Sequence, residues 1–389
     1  MLIFVGIMLV IWGLFAACIA VRLIVPARLS GASAVAAWAG LAFAWLVLPS
    51  VFILRMAFPG FPEIHPLEIT AYLVFGVVTM LVPLLLFRDI GWFGAWVLRL
   101  LPAEAPARLR LLNMTGIGVL AVMLSMLAAG LWGFLRMPMV QTVELAIPGL
   151  PGALEGYRIV QLTDLHIGAT FRARRVARIV DVANALAPDA FILTGDVADG
   201  LVKVLRPDAA PLARLRARDG KFFVTGNHEY FSDYKGWMAE IPRLGFTVLD
   251  NSHRLIRRGK AVLVMAGIPD ASMRHRMMSG RMAPADPVAA LRGSPRDAAK
   301  ILLSHQPPTA PAAAAAGADA QISGHVHGGQ YFPWSFVIPR VVPYGKSGLS
   351  RVDGMLLYVS RGTGAWGPPL RLGVPAEITL FRLASAPRR

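Results

Sequence analysis

The sequence is short of cysteine. Cys18 is the single cysteine in 389 residues, so no disulfide framework can form and cysteine usage says nothing about redox compartment. Cys18 follows Ala16 and Ala17, as in a lipoprotein cleavage box. No Lys or Arg precedes it, so the basic start of a signal peptide is missing. Cys18 reads instead as a residue buried in a membrane span. Charge is the second shortage. Only 16% of residues are charged, against about a quarter in soluble domains. Hydrophobic residues make up 56% and mean hydropathy is +0.56, an excess that points to membrane spans. Acidic residues are the scarcer sign, and the formal net charge is +16. That charge suits an anionic membrane surface or an anionic substrate. An Arg-rich composition alone gives a similar excess, and no nucleic acid is expected as a partner.

What is present in quantity is apolar sequence near the N-terminus. Four runs stand out, roughly Leu2–Val21, Ala34–Leu54, Ile69–Phe87 and Met114–Leu135. Each is close to the ~20 residues a helix needs to cross ~30 Å of hydrocarbon. Pro49 and Pro83 fall inside two of them, which membrane helices tolerate better than soluble ones. The runs contain no Asp or Glu, which argues against ion transport. They are read as an anchor, with homodimer formation as a further role.

Flanking charges set the orientation. Arg22 and Arg28 follow the first run, and Arg88, Arg99, Arg108 and Arg110 follow the third. The opposite side carries Arg55 and Arg136. The richer side belongs in the cytoplasm, so the remainder of the chain is expected outside it. Within the third loop, Ile90–Leu101 contains Trp92, Phe93 and Trp96 and reads as a short interfacial helix. A boundary near residue 136 gives a membrane domain at 1–136 and a second domain at 137–389.

From about Gln141 the texture changes. Short apolar runs alternate with helical patterns, as in Ala173–Leu186 with Val176, Ile179, Val180 and Val182 on one side. Ala310–Ala318 also reads as a helix. Strands alternating with helices give an α/β domain. One pattern recurs five times. A β-rich run ends and a metal-capable residue follows at once. Arg158–Thr163 leads to Asp164 and His166. Ala190–Gly195 leads to Asp196, and Lys221–Gly226 leads to Asn227, His228 and Glu229. Ile301–Ser304 leads to His305, and Ala320–Gly324 leads to His325 and His327.

In α/β sheets, sites form outside the carboxyl ends of strands. Gly195, Gly226 and Gly324 allow sharp turns there. Oxygen and nitrogen donors suit Mn, Fe or Zn better than the sulfur-seeking Cu(I) or iron–sulfur clusters. So many donors exceed the needs of one catalytic ion and suit two divalent metal ions sharing a bridge. Taken singly, a strand-end Asp or Asn is often a turn or helix cap. His65, His253 and His275 lack this context and read as surface residues.

Asp164-x-His166, Gly195-Asp196, Gly226-Asn227-His228-Glu229, His305 and Gly324-His325-x-His327, in that order, resemble the motif set of the calcineurin-like metallophosphoesterases. The tail Gly324–Gln330 resembles the membrane-associated bacterial branch. The resemblance runs from about Val143 to Leu383 and does not cover the spans. It implies an α/β sandwich of two mixed sheets flanked by helices. It implies one metal held by Asp164, His166, Asp196 and His327, and another by Asp196, Asn227, His305 and His325, with Asp196 as the bridge. It makes His228 the catalytic residue that stabilises or protonates the leaving oxygen. Glu229 would orient His228 or a ligand. The activity implied is phosphoester hydrolysis by in-line attack of a metal-bridging hydroxide.

A diester or lipid-linked phosphoester is the preferred substrate, because the domain sits beside a bilayer. The alternatives are a cytoplasmic-side nucleotide-linked lipid pyrophosphatase, and a membrane receptor or transporter with a regulatory metal domain. Three segments keep two readings each. The basic, Met-rich stretch Met273–Met282 reads as a solvated loop or a lid. Arg172, Arg174, Arg175 and Arg178 read as a solvated helix face or a phosphate attractant. Tyr331–Phe336 reads as core, substrate wall or bilayer contact.

Overall fold

The computed structural model describes residues 2–57, 65–273 and 283–387. The chain forms two compact units. One is Met1–Gly133 with Gly367–Leu372, and the other is Phe134–Trp366 with Gly373–Arg389. His275 and most of the Met-rich stretch lie outside the described residues.

The first unit is helical. Its helices are α1 (Leu2–Ile19), α2 (Gly31–Ala57), α3 (His65–Val97) and α4 (Ala105–Leu135). All four segments are long and apolar enough to cross a membrane, α1 together with the helical turns that carry it on to Ala27. The elements outrun the hydropathy because helix continues past the apolar runs. α3 is unbroken to Val97, so Ile90–Val97 extends the third helix and does not form a separate interfacial one. This length brings Glu68 and Asp89 inside the helix, where the apolar run alone showed no acid. Asp89 is paired: Arg22 Nε donates to it at 2.5 Å and Arg88 at 2.8 Å. Arg88 also donates to the Arg22 carbonyl, so the helical turns that follow α1 are tied to α3. Gly76 and Gly130 leave room for Leu370, which a Cβ at either position would crowd.

The second unit is a four-layer sandwich. Its strands are β1 (Met139–Pro148), β2 (Arg158–Leu162), β3 (Ala190–Thr194), β4 (Lys221–Val224), β5 (Thr247–Val248), β6 (Ser252–Arg258), β7 (Ala261–Gly267), β8 (Ala299–Leu303), β9 (Ala320–Ser323), β10 (Gly348–Val352), β11 (Met355–Val359) and β12 (Glu377–Ala386). One sheet has the order β1-β12-β2-β3-β4-β5 and the other β10-β11-β9-β8-β7-β6. Both are mixed. β2 through β5 run parallel while β12 opposes β2. β7, β8, β9 and β11 run parallel while β6 and β10 oppose their neighbours.

Pleating decides which core each residue enters, since successive side chains point to opposite faces. Ile159 and Ile192 join the core between the sheets. Their neighbours Val160, Phe191 and Leu193 join the core beneath the helices Ala173–Ala185 and Tyr234–Arg243. The former helix buries Val176, Ile179 and Val180, as its spacing requires, and Ala183 with them. On the far side, Ala310 and Ala313 cover the second sheet. The five strands that carry the motifs, β2, β3, β4, β8 and β9, are therefore central and parallel. Their carboxyl ends lead straight into the candidate ligands.

Candidate metal centre

The site is built from strand ends whose backbones turn sharply. Asp164, His166, Asp196, His325 and His327 all have positive φ, between 48° and 73°. Non-glycine residues seldom occupy this region, and they cluster at functional sites where the surroundings impose it. Neighbouring glycines make the approach possible. A Cβ on Gly226 would strike Asp196 Oδ1, and one on Gly324 would strike Asp164 Oδ2 and Thr163 Oγ1. A Cβ on Gly195 would meet Gly226 and, at 2.7 Å, His305 Nδ1.

Three clusters result, with candidate ligand atoms within 4.8 Å of one another: Asp164–His166–His327, His166–Asp196–His228 and Asp196–His305–His325. His166 Nε2 and His327 Nε2 face each other at 3.0 Å, and His327 Nε2 lies 3.3 Å from Asp164 Oδ1. Asp196 Oδ2 lies 3.1 Å from His305 Nε2 and 3.7 Å from His166 Nε2. One carboxylate thus belongs to both sides of the site.

The hydrogen bonds turn the remaining donor atoms inward. His305 Nδ1 donates to the Thr194 carbonyl at 2.7 Å, and His166 Nδ1 donates to Asp199 Oδ1 at 2.9 Å. Each bond fixes the tautomer and leaves Nε2 with its lone pair free for a cation. His305 Nε2 and Asn227 Oδ1 are buried with no hydrogen-bond partner among the described residues. Buried polar atoms are rarely left so, and a divalent ion would satisfy both. Asn227 lies outside the three clusters and follows Gly226 at the end of β4. The other six sequence-expected ligands come together, and their oxygen and imidazole donors fit two divalent ions.

The charges agree. Burial alone would raise Asp164, but His327 and His305 outweigh it and hold the carboxyl below its ordinary range. Burial would likewise raise Asp196, and His305 and His228 depress it strongly. Both carboxylates stay ionised and able to bind metal.

Sequence reasoning missed Asp199. Its Oδ1 accepts from His166 Nδ1 and lies 2.7 Å from His228 Nδ1, so it orients two histidines at once. The signal was a second aspartate three residues after Asp196 in Gly195-Asp196-Val197-Ala198-Asp199. Of the two expected roles of Glu229, orienting His228 or a ligand, the hydrogen bonds fit the second. Fully buried, it accepts from the backbone N–H groups of Asp196, Val197 and Gly226 at 3.1, 2.7 and 2.6 Å, locking the β3 and β4 loops together. Burial and the charge of Asp196 raise its pKa to about 7.

The rim was also missed. Phe231 and Trp366 stand edge-on to the His228 ring, with centroids at 5.7 and 6.0 Å, and both are exposed. Gln330 holds the Trp366 backbone at both N–H and C=O.

The other segments lie outside this constellation. Arg172 pairs with Asp208. Arg175 packs over Phe134 and Phe171, and Arg174 and Arg178 are exposed. His253 is in none of the clusters, and its Nδ1 donates to the Ala290 carbonyl at 2.8 Å. Tyr331 is buried, whereas Phe336 is exposed.

Comparison with known proteins places this geometry. Residues 157–329 match the family described as calcineurin-like phosphoesterase. A zebrafish protein described as a transmembrane protein with metallophosphoesterase domain is 33% identical over 359 residues, covering 90% of this chain and 81% of that protein. A cattle protein of the same description is 37% identical over 282 residues, 69% of this chain; the match spans 62% of the cattle protein. A Bacillus subtilis protein, the uncharacterized metallophosphoesterase YkuE, is 30% identical over 281 residues, 66% of this chain and 91% of its own length. The likeness thus extends to animal as well as bacterial proteins. The chain belongs to the calcineurin-like phosphoesterases, as a multi-pass membrane protein whose hydrolase domain is fused to membrane-spanning helices, and it is a metal-dependent hydrolase.

Proposed function

We propose that the chain hydrolyses a phosphodiester or lipid-linked phosphoester of the cell envelope, on the extracytoplasmic side. The observation that carries the hydrolytic part of this reading is the sharing of Asp196 between two ligand clusters beside His228. Asp164, His166, Asp196 and His327 would hold one ion; Asp196, Asn227, His305 and His325 would hold the other. Two such cations, Mn, Fe or Zn by donor type, supply charge neutralisation for the phosphoryl oxygens and a water of lowered pKa.

The remaining work falls to the chain's own groups. Burial alone would lower the pKa of His228, but Asp196 and Asp199 outweigh it and raise it to about 9. The ring's Nδ1 is engaged by Asp199, so Nε2 is the atom that can donate to a leaving alkoxide. Phe231 and Trp366 flank that ring, which suits an organic leaving group.

The test uses the full chain in detergent or nanodiscs, stripped of metal and refilled with Mn²⁺. Hydrolysis of bis-p-nitrophenyl phosphate is compared with that of p-nitrophenyl phosphate, and Asp196→Asn and His228→Ala are assayed alongside. Metal-dependent turnover lost in Asp196→Asn and reduced in His228→Ala, with the diester preferred, is expected. A folded, metal-binding chain inert toward both esters with Mn²⁺, Zn²⁺ and Fe²⁺ would shift the reading to a membrane receptor or transporter with a regulatory metal domain.

A further inference from the structure

The hydrolase unit carries an apolar surface that its chemistry leaves unused. The helix Trp334–Val341 buries no residue fully. Its inner side is set by Ile338 and Val342, which pack against the core of the second sheet. The opposite side shows Phe336, Val337 and Val341, exposed by 60, 38 and 63%. Tyr344 and Leu349 continue the exposed apolar surface beyond the helix. Among the described residues, no other stretch of this unit of similar length exposes as many large apolar side chains. Exposed apolar residues scattered singly are normal; a cluster marks a contact surface.

The charges nearby have one sign. Arg340, Lys346 and Arg351 are exposed, and no Asp or Glu occurs from Gly328 through Val352. Arg340 is on the helix, while Lys346 and Arg351 follow it; apolar side chains flanked by such cations suit a membrane interface. Tyrosine at the margin suits headgroup depth. The chain is already bound to a bilayer by its spans, so an anionic lipid surface is the partner always at hand.

We infer that the helix Trp334–Val341 and the loop to Leu349 form a second membrane contact on the hydrolase unit itself, an amphipathic patch that dips Phe336 and Val341 into an anionic lipid interface. The patch is joined to the ligand loop. The helix follows the His327–Gly329 turn, and a Cβ on Gly329 would collide with the Trp334 backbone. Seating the helix in the interface would bring that loop to headgroup depth. The inference rests on surface chemistry and does not require the substrate reading.

The experiment uses the full chain with its one cysteine removed as Cys18→Ser, and with Val341→Cys carrying an environment-sensitive fluorophore. It is reconstituted in nanodiscs of zwitterionic lipid, or of the same lipid with an anionic component, with and without a nitroxide-labelled lipid. Val288→Cys, also an exposed apolar position of this unit, is the control. Quenching at Val341 several-fold above that at Val288 is expected, stronger with anionic lipid and reduced by Arg340→Glu with Lys346→Glu. Equal quenching at the two positions would overturn the inference. So would a blue-shifted probe at Val341 that lipid nitroxide fails to quench, because the patch would then be covered by protein, whether a second copy or another partner.

Discussion

A histidine in a carboxylate-rich pocket could bind metal, take a proton or give one; the proposed reading gives His228 the last role, with Asp199 holding its ring. Asp199 Oδ1 sits 2.7 Å from its Nδ1, while the same oxygen accepts from His166. Asp199 itself stays ionised: burial would raise its carboxyl, and His166 and His228 outweigh that and hold it below the ordinary range. Removing the charge but not the shape should therefore misorient both rings. Asp199→Asn is expected to lower kcat by about 10–100-fold, the usual effect of losing such a partner, with metal still bound. His228→Ala should cost about 10²–10⁴-fold in kcat, and least for p-nitrophenolate, a leaving group that needs little protonation. Comparing aryl with alkyl diesters checks this: an equal loss for both would remove His228 from the role of acid.

At the scale of elements, the site depends on loops approaching more closely than side chains allow. Gly226 touches Asp196 with no room for a methyl group, and Glu229 fastens the same two loops through three backbone N–H groups. Gly226→Ala should push Asp196 out of its shared position. Titration of Mn²⁺ into the stripped full chain should then show weakened binding of both ions together. Loss of one ion with the other unchanged would mean that Asp196 does not serve both. The strands that deliver these loops were legible in sequence because each ends in an apolar run followed by a distinctive residue. Asp199 and Glu229 were harder to read. Their partners are side-chain and backbone groups of other loops, and no sequence spacing encodes those meetings. Trp366 lies 138 positions from His228 in number alone, so its place on the rim follows from the sheet order and not from any local pattern.

At the scale of the whole molecule, hydropathy found the four helices but shortened them, because it stops at the first charges while helix geometry does not. That error bears on topology. Arg22 and Arg88 counted as free loop cations, yet both are engaged by Asp89, and a paired cation is a weaker determinant of orientation. Discounting them leaves Arg28, Arg99, Arg108 and Arg110 on one side against Arg55 and Arg136 on the other, so the bias keeps its sign. The rule counts Lys and Arg in short loops near span ends, and the loop between α3 and α4 meets that condition. A periplasm-active phosphatase reporter fused after Arg389 is therefore expected to be active, and a reporter that works only in the cytoplasm inactive. Neutralising Arg99, Arg108 and Arg110 together should weaken that preference, whereas neutralising Arg22 alone should not. A cytoplasm-active fusion would invert the domain, and with it the substrate class, toward a nucleotide-linked lipid pyrophosphate that resides on the inner face.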